Sequence, residues 1–455
     1  MQKATAPAAK GPTGKDAQPY EKSPIYRIMR DILRDSHVAT ARMGKSYKFT
    51  LGDAIRKYAQ EATETVFLAY EERTDIAVKL ERIRGIKPAL HRLLIDIILA
   101  YLDCRRRKRN KRSAIAFETN FERNLEELLE EVNSGTYCIG PSQVFVVTYP
   151  KPREVWAAGF RDRIIHHLVY RDVAPWYESR FIEDTFSCIK SRGTQAAALR
   201  LEQFCRSATE NWHKEAWCLQ VDIANFFVSI NRSILWEIMA QDMGEDSLTS
   251  RLTKQILFHD PTQNPYVRTP QLLHLVPRHK SLWHCKAGCG LPIGNLTSQF
   301  KSNVYLDALD KFVKHTLKVR WYVRYVDDAA LISRDREQLY EWRDAIDEWL
   351  WRERGLRLHP NKVTVKPADS GINFVGTIVL PFRSYQRRMT IHSASQAAES
   401  LSKKPLDKDC YNTMNSYLGM LRNTASFNTR RQLCERASTP MLITSDSEYT
   451  KIIKL

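Results

Sequence analysis

The stretch Tyr325-Val326-Asp327-Asp328 places two adjacent aspartates between two apolar runs, Trp321-Tyr322-Val323 and Ala329-Ala330-Leu331-Ile332. Apolar runs on either side of a two-residue step predict a β-hairpin with the carboxylates at its turn. Neighbouring negative charges repel each other, and a shared Mg²⁺, which favours carboxylate and phosphate oxygens, relieves that repulsion. A solvated acidic turn is the alternative for this tetrapeptide taken alone.

A third acid, Asp222, stands in an equivalent setting about a hundred residues earlier in the chain. It ends the apolar stretch Trp217-Cys218-Leu219-Gln220-Val221, which predicts a β-strand. Three carboxylates at the ends of β segments can hold two divalent ions. In-line attack of a 3′-hydroxyl on a nucleoside triphosphate requires such an arrangement. Taken alone, Asp222 would read as a surface acid at a strand end.

Composition favours a polyanionic partner. The chain has 455 residues, 70 of them Lys or Arg, and a net charge of +18. That length allows two or three domains with substantial cores. A strong basic excess is typical of nucleic-acid binding, and a merely soluble basic surface is the alternative.

The nine cysteines are scattered along the chain, and several lie within apolar stretches. This pattern predicts free thiols in a reducing compartment, the cytoplasm, and no disulfide framework. His279, His284, Cys285 and Cys289 form one cluster that could bind zinc, although its spacing matches no common zinc finger. No apolar run reaches membrane-spanning length, so no membrane association is expected.

Further motifs accompany the three acids in a fixed order along the chain. They are Tyr149–Arg153 (YPKPR), Phe160–His167 (FRDRIIHH), Ser191–Gln195 (SRGTQ), Gly290–Gln299 (GLPIGNLTSQ), Leu358–Lys362 (LHPNK) and Asn373–Thr377 (NFVGT). In this order they resemble the reverse transcriptases, from about residue 114 to the C-terminus. The resemblance implies an RNA-directed DNA polymerase whose partners are template RNA, cDNA and deoxynucleoside triphosphates.

The subfamily is indicated by Ile293-Gly294-x-x-x-Ser298-Gln299, which is similar to the signature of reverse transcriptases from diversity-generating retroelements. The segment Ser416–Leu421 (SYLGML) is similar to that group too. Such enzymes copy a template-repeat RNA into cDNA with frequent errors opposite adenine. The mutated cDNA then replaces a variable region of a target gene, a process called mutagenic retrohoming.

The resemblance implies catalytic roles for the acids and for one lysine. Asp222 and Asp327 would bind both Mg²⁺ ions, for which Mn²⁺ could substitute, and the carbonyl of Ile223 would be a main-chain ligand. Asp328 would support the metal near the primer hydroxyl. Lys362 matches the lysine that is proposed to protonate the leaving pyrophosphate.

Lys151, Arg153 and Arg161 belong to segments that look like the triphosphate-binding strands of the family. Their donors suit phosphate oxygens, with arginine binding bidentately. Ordinary basic surface residues are the alternative.

Phe227 falls where the family has its sugar gate, and a bulky ring there would exclude a 2′-hydroxyl. A core aromatic beside Phe226 is the alternative, and alternation predicts one ring in the core and the other in the site. Ile293 and Gly294 would contact the incoming nucleotide. Accurate relatives have a Gln at the place of Ile293, so the apolar side chain would lower fidelity.

Primer and template contacts are expected from Gly376, which would bend the hairpin that holds the primer end, and from Gln299. Arg105, Arg107 and Arg109 belong to the run 105–112, in which seven of eight residues are basic. Such a run can bind RNA phosphates with release of counterions. A solvated linker is the alternative.

The N-terminal part reads as a separate unit. Apolar residues at helical spacing within 20–104 predict an α-helical bundle. Its segment Tyr47–Gly52 (YKFTLG) resembles the accessory variability determinant, the helical partner protein of these enzymes. Self-association or binding of an accessory protein through this bundle is therefore expected. An unrelated helical extension is the alternative.

The predicted fold class is α+β, a right-hand polymerase preceded by an α-helical bundle. The expected order is a disordered tail (1–19), the bundle (20–104), a basic linker (105–113), fingers and palm with an antiparallel sheet (114–384), and a helical thumb (385–455). A retron-like or phage-defence reverse transcriptase is the alternative function. A non-catalytic RNA-binding scaffold would require the loss of an acid, and all three are present.

Overall fold

The computed structural model describes residues 88–149, 151–244, 247–438 and 442–454, together with a few positions between residues 30 and 60. The chain divides into two compact units, Met1–Pro141 with Ala158–Asp172, and Ser142–Ala157 with Val173–Leu455. The predicted tail, most of the predicted bundle and the motif at 47–52 lie outside the described residues. Within the described part, no helix is both long enough and apolar enough to cross a membrane.

The described part of the first unit is helical. It contains α1 (Pro88–Arg105), α2 (Arg112–Thr119), α3 (Phe121–Ser134) and the first turns of α4 (Phe160–Glu178), a helix that contributes residues to both units. Aromatic contacts join these helices, with ring centroids 4.7 Å apart for Tyr101 and Phe121 and 5.5 Å apart for Phe117 and Phe160. The predicted boundary at residue 114 falls inside this unit.

The second unit combines helices with sheets. Its strands are β1 (Gln143–Val147), β2 (Arg153–Ala157), β3 (Thr185–Phe186), β4 (Trp217–Asp222), β5 (Tyr266–Val267), β6 (Trp321–Tyr325), β7 (Asp328–Ser333), β8 (Thr364–Pro367), β9 (Ile372–Phe374), β10 (Thr377–Leu380), β11 (Arg383–Gln386), β12 (Ile443–Ser445) and β13 (Ile452–Lys454). Its further helices are α5 (Thr194–Ala208), α6 (Phe226–Ser229), α7 (Arg232–Met243), α8 (Leu248–Phe258), α9 (Leu296–Lys311), α10 (Arg336–Arg354), α11 (Arg388–Lys403), α12 (Lys408–Leu421) and α13 (Phe427–Ala437). The predicted mixture of helices and antiparallel strands is confirmed.

A five-stranded sheet with the order β3-β6-β7-β4-β8 forms the centre of this unit. Neighbouring strands are antiparallel except for β3 and β6, which run parallel. Alternate residues such as Cys218, Val323 and Ile332 pack with α5 in one apolar cluster. Tyr322 points the other way, and its hydroxyl donates to Asp310 of α9 at 2.7 Å. The sheet is therefore covered by helices on both faces, which explains its nearly continuous apolar strands.

The predicted acidic hairpin is confirmed. Strands β6 and β7 pair antiparallel, and Tyr325 lies opposite Asp328 across a two-residue turn of Val326 and Asp327. Val326 has a φ of 56°, a left-handed conformation that is unfavourable for a β-branched residue. Such strain persists only where the surroundings over-determine the backbone.

Two smaller sheets flank the central one in sequence. Strand β1 pairs antiparallel with β2 and parallel with β5, while β9, β10 and β11 form an antiparallel sheet. The turn between β9 and β10 consists of Val375 and Gly376, both with positive φ. Gly376 thus bends a hairpin, as the sequence predicted. The predicted boundary at residue 385 falls within β11.

Helices α11, α12 and α13 form the C-terminal part, as the alternation of helical stretches and polar turns predicted. Their apolar faces share one core cluster that includes Ala398, Leu418 and Leu433. The sequence did not indicate the antiparallel pair β12–β13, whose Ile443 and Ile452 complete that cluster.

A buried ion pair supports the strained turn. Arg324 donates to both carboxylate oxygens of Asp310 at 2.7 and 2.6 Å, and their side chains are 1% and 0% exposed. Nη1 of Arg324 also donates to the Val326 carbonyl at 2.8 Å and to the Asn303 side chain at 3.2 Å. Asp310 further accepts from Thr185 of β3 at 2.6 Å. The pair of Arg324 and Asp310 thereby links α9, β3 and the acidic turn.

We expect Arg324→Met to lower the free energy of unfolding by about 3–5 kcal/mol, because it leaves a buried carboxylate without its counter-ion. The double variant with Asp310→Asn should recover part of the loss, since no uncompensated charge then remains. Urea unfolding measures both effects. The control is Lys403→Met at the exposed Lys403–Glu399 pair, where about 0–1 kcal/mol is expected. A loss at Arg324 as small as the control's would contradict the role given to this pair.

Candidate active site

The strand register brings the three acids together. Asp222 ends β4 and lies directly opposite Asp328, the first residue of β7. Asp327 occupies the turn, and its carbonyl accepts a hydrogen bond from the Ile223 amide at 3.2 Å. All four residues line one cavity, which we call the aspartate cavity. The sequence predicted the three acids, and pairing of two distant strands makes them neighbours.

The acids repel one another in this cavity. Burial and, after it, the nearby charge of Asp222 raise the pKa of Asp327 to about 6. Burial also raises the pKa of Asp328 to about 7, with additional contributions from Asp327 and Asp222. Removal from water and like charges both disfavour the ionised carboxyl. The arrangement therefore favours the binding of a cation.

Lys362 provides one positive charge. Its Nζ donates to both carboxylate oxygens of Asp222 at 2.7 and 2.6 Å. The loop that carries it is fixed to β4, because the His359 amide donates to the Asp222 carbonyl at 2.7 Å and the Lys362 amide to the His359 carbonyl at 3.0 Å. The backbone thus delivers this ammonium to the first of the three acids.

The donor set fits divalent ions of the kind that arrive with a phosphate substrate. In the described part of the chain, no three His, Cys, Asp or Glu side chains are gathered as ligands of one metal ion. Mg²⁺ in nucleotide-dependent enzymes is held by one or two carboxylates, with substrate phosphates and water completing the shell. Asp222, Asp327 and the Ile223 carbonyl can supply that smaller share. In the His/Cys cluster that was considered as a zinc site, Cys285 donates to the Cys289 carbonyl at 3.3 Å.

Three residues predicted to contact the nucleotide line the same cavity, namely Arg153 of β2, Phe227 of α6 and Ile293. Gln299, which was predicted to contact primer or template, lines it too. The Ile293 carbonyl accepts a hydrogen bond from the Trp156 amide at 2.7 Å, which ties this segment to β2. Gly294, with a φ of 122°, approaches β2 so closely that a Cβ there would lie 2.9 Å from the Trp156 carbonyl oxygen. Gly294 thus permits the close contact that positions Ile293.

The two phenylalanines occupy one helical turn after Asn225, whose φ is 49°. Phe226 is 2% exposed, whereas Phe227 is half-buried, and both rings reach the cavity. The ring centroids lie 5.4 Å apart in an edge-to-face arrangement. The division into a core ring and a site ring was predicted from strand alternation, but it arises here from a turn of helix.

Two predicted contact residues, Arg161 and Arg105, belong to the first unit. Arg161, in the first unit, forms an ion pair with Glu131 and lies over the ring of Tyr137. Arg105 closes α1 and donates to Glu118 at 2.5 Å.

The remaining predicted contacts lie on turns. Arg107 and Arg109 belong to the turn that joins α1 to α2. Lys151 is exposed beside the β1–β2 turn, and Gly376 faces the guanidinium of Arg387.

Sequence reasoning missed two residues that matter here. Lys280 lines the aspartate cavity, although it belongs to a segment considered only for zinc. Arg324 supports the acidic turn through its hydrogen bond to the Val326 carbonyl. The sequence feature that could have identified it is a charged residue inside an otherwise apolar strand. Such a residue is expected to have a buried partner. The sequence alone could not identify Asp310 as that partner.

The comparison with protein-family models agrees with the motif order. The family model described as reverse transcriptase (RNA-dependent DNA polymerase) matches residues 151–379, just over half of the chain. No curated protein matches the sequence.

Among solved structures, the chain is similar to an apo telomerase from Candida tropicalis truncated from its C-terminal domain, with 13% identity and a TM-score of 0.35. The match covers 55% of this chain and 56% of that one, so the chain spans about half the length of this relative.

The raised carboxyl pKa values predict a pH-dependent stability difference. In the folded, metal-free protein Asp328 holds its proton up to about pH 7, well above its ordinary value near 3.8. The folded state therefore binds this proton more tightly than the unfolded state, and the resulting stabilisation, which is full below about pH 4, is lost progressively as pH rises from there through 7. We expect Asp328→Asn to stabilise the protein at pH 8 by about 1–3 kcal/mol, and to have little effect near pH 3, where the carboxyl is protonated in both states.

Urea unfolding in the presence of EDTA, at both pH values, measures this difference. The exposed Asp369 provides a matched control, since Asp369→Asn should change stability little at either pH. Equal stability of wild type and Asp328→Asn at pH 8 would show that the repulsion between the acids is negligible.

Proposed function

Because this chain belongs to the reverse transcriptase family, the RNA-dependent DNA polymerases, we propose that it copies an RNA template into cDNA with frequent errors opposite adenine. Its biological role would be the diversification of a target gene, as in diversity-generating retroelements. The observation that carries the proposal is the position of Ile293 in the same cavity as Asp222, Asp327 and Asp328. An apolar side chain at this position would contact the incoming nucleotide in a site that also contains the three acids.

The proposed architecture is a right hand. The central five-stranded sheet would be the palm, β1 and β2 would belong to the fingers, and α11 to α13 would form the thumb. The incoming nucleotide and the primer end would meet above the β6–β7 turn, where the three acids lie. This assignment rests on the motif order and on the shared position of these acids.

The divalent ions of this family, which we expect to be Mg²⁺, neutralise the triphosphate and activate the primer hydroxyl. Asp222, Asp327 and the Ile223 carbonyl would hold them, and Asp328 would support the ion near the primer. The strained turn at Val326 fixes the directions of these carboxylates before substrate binds. Preorganised charge of this kind costs no reorganisation during the reaction.

Lys362 would act as the proton donor for the leaving pyrophosphate. Its ammonium lies on Asp222 and is therefore close to the place where the α-phosphate must bind. A positioned general acid contributes typically about 10²- to 10⁴-fold to a rate. A bound triphosphate would compete with Asp222 for this ammonium.

Ile293 would lower fidelity through the absence of a hydrogen-bond donor. A Gln at this place could hold the nucleotide in one pose, and an isoleucine supplies bulk alone. A mispaired nucleotide then loses less relative to a correct one, and polymerase discrimination depends on that difference. One hydrogen bond is worth about 0.5–1.5 kcal/mol, which corresponds to roughly a tenfold change in misincorporation.

The test is primer extension on an adenine-containing RNA template with Mg²⁺, followed by sequencing of the cDNA. Wild type should make cDNA with errors concentrated opposite adenine, and Ile293→Gln should reduce those errors about tenfold. Asp327→Asn is the control for catalysis and should slow extension on the order of a thousandfold or more.

Three outcomes would count against the proposal. Wild-type errors spread evenly over the four bases would favour the retron-like or defence alternative. Equal error rates in wild type and Ile293→Gln would assign the infidelity to other residues. Near-normal extension by Asp327→Asn would contradict the catalytic site itself.

A second prediction concerns Phe227, the proposed sugar gate. Removing its ring should admit a 2′-hydroxyl, so Phe227→Ala should raise the incorporation of ribonucleotides relative to deoxynucleotides by at least about tenfold. Single-nucleotide extension with each substrate measures the ratio. Val228→Ala, which also removes bulk from the lining of the cavity, is the matched control. Unchanged discrimination in Phe227→Ala would identify the ring as a packing residue.

A further inference from the structure

The chain carries a segment between α8 and the Gly290–Gln299 motif to which the motifs assign no role. It spans residues 259–289 and contains β5 and three short 3₁₀ turns, Pro270–Leu275, Arg278–Lys280 and Leu282–His284. We call it the insert. Its basic residues include Arg268, Arg278 and Lys280. Of these three, Lys280 lines the aspartate cavity.

The insert is attached to the strands that carry Arg153. Strand β5 pairs parallel with β1, and Gln143 lies opposite Tyr266. The carboxylate of Glu154, which is 4% exposed, accepts from the Leu282 amide at 3.0 Å and from the indole of Trp156 at 3.1 Å. A buried carboxylate with two donors is a strong anchor, because charge-assisted hydrogen bonds exceed neutral ones in strength.

This anchor lies two residues from Lys280. The chain runs from the exposed Lys280 through the buried Ser281 to Leu282, whose amide the Glu154 carboxylate holds. The rings of Trp156 and Trp283 pack with centroids 4.6 Å apart just beyond it. The backbone at Lys280 is therefore fixed relative to β2, while its flexible side chain reaches into the cavity.

Lys280 is close to other positive charges at the aspartate cavity. Burial lowers the pKa of Lys280, and the charges of Lys151, Lys362 and Arg153 lower it further, while Asp222 opposes them. Lys362 is already paired with Asp222. In the described part of the chain, Lys151, Arg153 and Lys280 have no carboxylate within ion-pair distance. An unbalanced group of cations beside a metal-binding site is suited to a polyanion.

We propose that Lys280 binds the β- and γ-phosphates of the incoming nucleoside triphosphate, together with Arg153. This inference rests on the proposed polymerase function and adds to it a residue that the family's motifs do not contain. The triphosphate is favoured over the template backbone, because the reacting phosphates must lie at Asp222 and Asp327, in the same cavity as Lys280. The template need not approach these acids.

The first test separates binding from chemistry. Lys280→Ala should raise the KM for deoxynucleotides about tenfold, the scale of one charge-assisted hydrogen bond, and leave kcat nearly unchanged. Lys280→Arg should restore most of the affinity. Lys286→Ala, an equal loss of charge at an exposed position of the same insert, is the control and should behave as wild type. Variants of Lys362 should instead lower kcat.

The second test does not depend on catalysis. A non-hydrolysable deoxynucleoside triphosphate analogue is titrated into the full chain bound to primer and RNA template, with its affinity measured by calorimetry. Lys280→Ala should weaken binding about tenfold, and Lys286→Ala should not. Unchanged KM and unchanged analogue affinity in Lys280→Ala would overturn the inference, as would a fall in kcat alone. If wild type failed to extend primers on RNA, the proposed function would fail, and analogue affinity would still decide the role of Lys280.

The anchor provides a variant of a different kind. Glu154→Ala releases the backbone at Leu282 and should raise KM in the same direction as Lys280→Ala. The double variant should be no worse than the poorer single variant, because both remove the same ammonium from the triphosphate. Additive effects would show that Glu154 acts on the substrate independently of Lys280, and would contradict its role as the anchor.

Discussion

The contact between Arg324 and Asp310 is the constraint on which the geometry of the acidic turn depends. Asp310 belongs to α9 and Arg324 to β6, and the same guanidinium holds the carbonyl of Val326 in the turn that carries Asp327. A β-branched residue would not keep a positive φ without such support. The pair lies in the protein interior, where removing one partner would leave a buried charge without a counter-ion. The interaction that holds the turn is therefore one whose loss is expected to lower the free energy of unfolding.

The same helix connects this support to the substrate side of the site. Helix α9 begins just after Gly294, carries Gln299 in its first turn, and reaches Asn303 and Asp310 along its buried face. Gly294 brings the start of that segment against β2, which carries Arg153 and Glu154. The acidic turn and the residues that line the aspartate cavity near β2 are therefore connected by one continuous element. A change in the packing of α9 would affect both together.

Charge is distributed unequally around the aspartate cavity. The acids of β4 and β7 are crowded and partly buried, which raises the pKa of Asp327 and Asp328. Arg153, Lys280 and Lys362 bring positive charges to the same cavity, and one of them neutralises Asp222. Like charges repel one another within the group of acids and within the group of basic residues, so each group is destabilised in the absence of a ligand. A metal ion with a nucleoside triphosphate would satisfy both, and the proposed function would thus relieve the electrostatic repulsion within the free protein.

The sequence by itself determined the local elements and the chemical type of the site. Apolar runs around Asp327 and Asp328 predicted one hairpin, and Gly376 marked a second, because these signals depend on neighbouring residues. The order of the motifs along the chain predicted the family.

The tertiary structure decided which distant residues meet. The register of β4 against β7 placed Asp222 opposite Asp328, burial selected Asp310 as the partner of Arg324, and the Glu154 anchor brought Lys280 into the cavity. Arg161 shows the converse, since its motif indicated a phosphate contact and its folded neighbours include Glu131. Long-range pairing depends on packing and desolvation of the whole chain, and no local pattern encodes it.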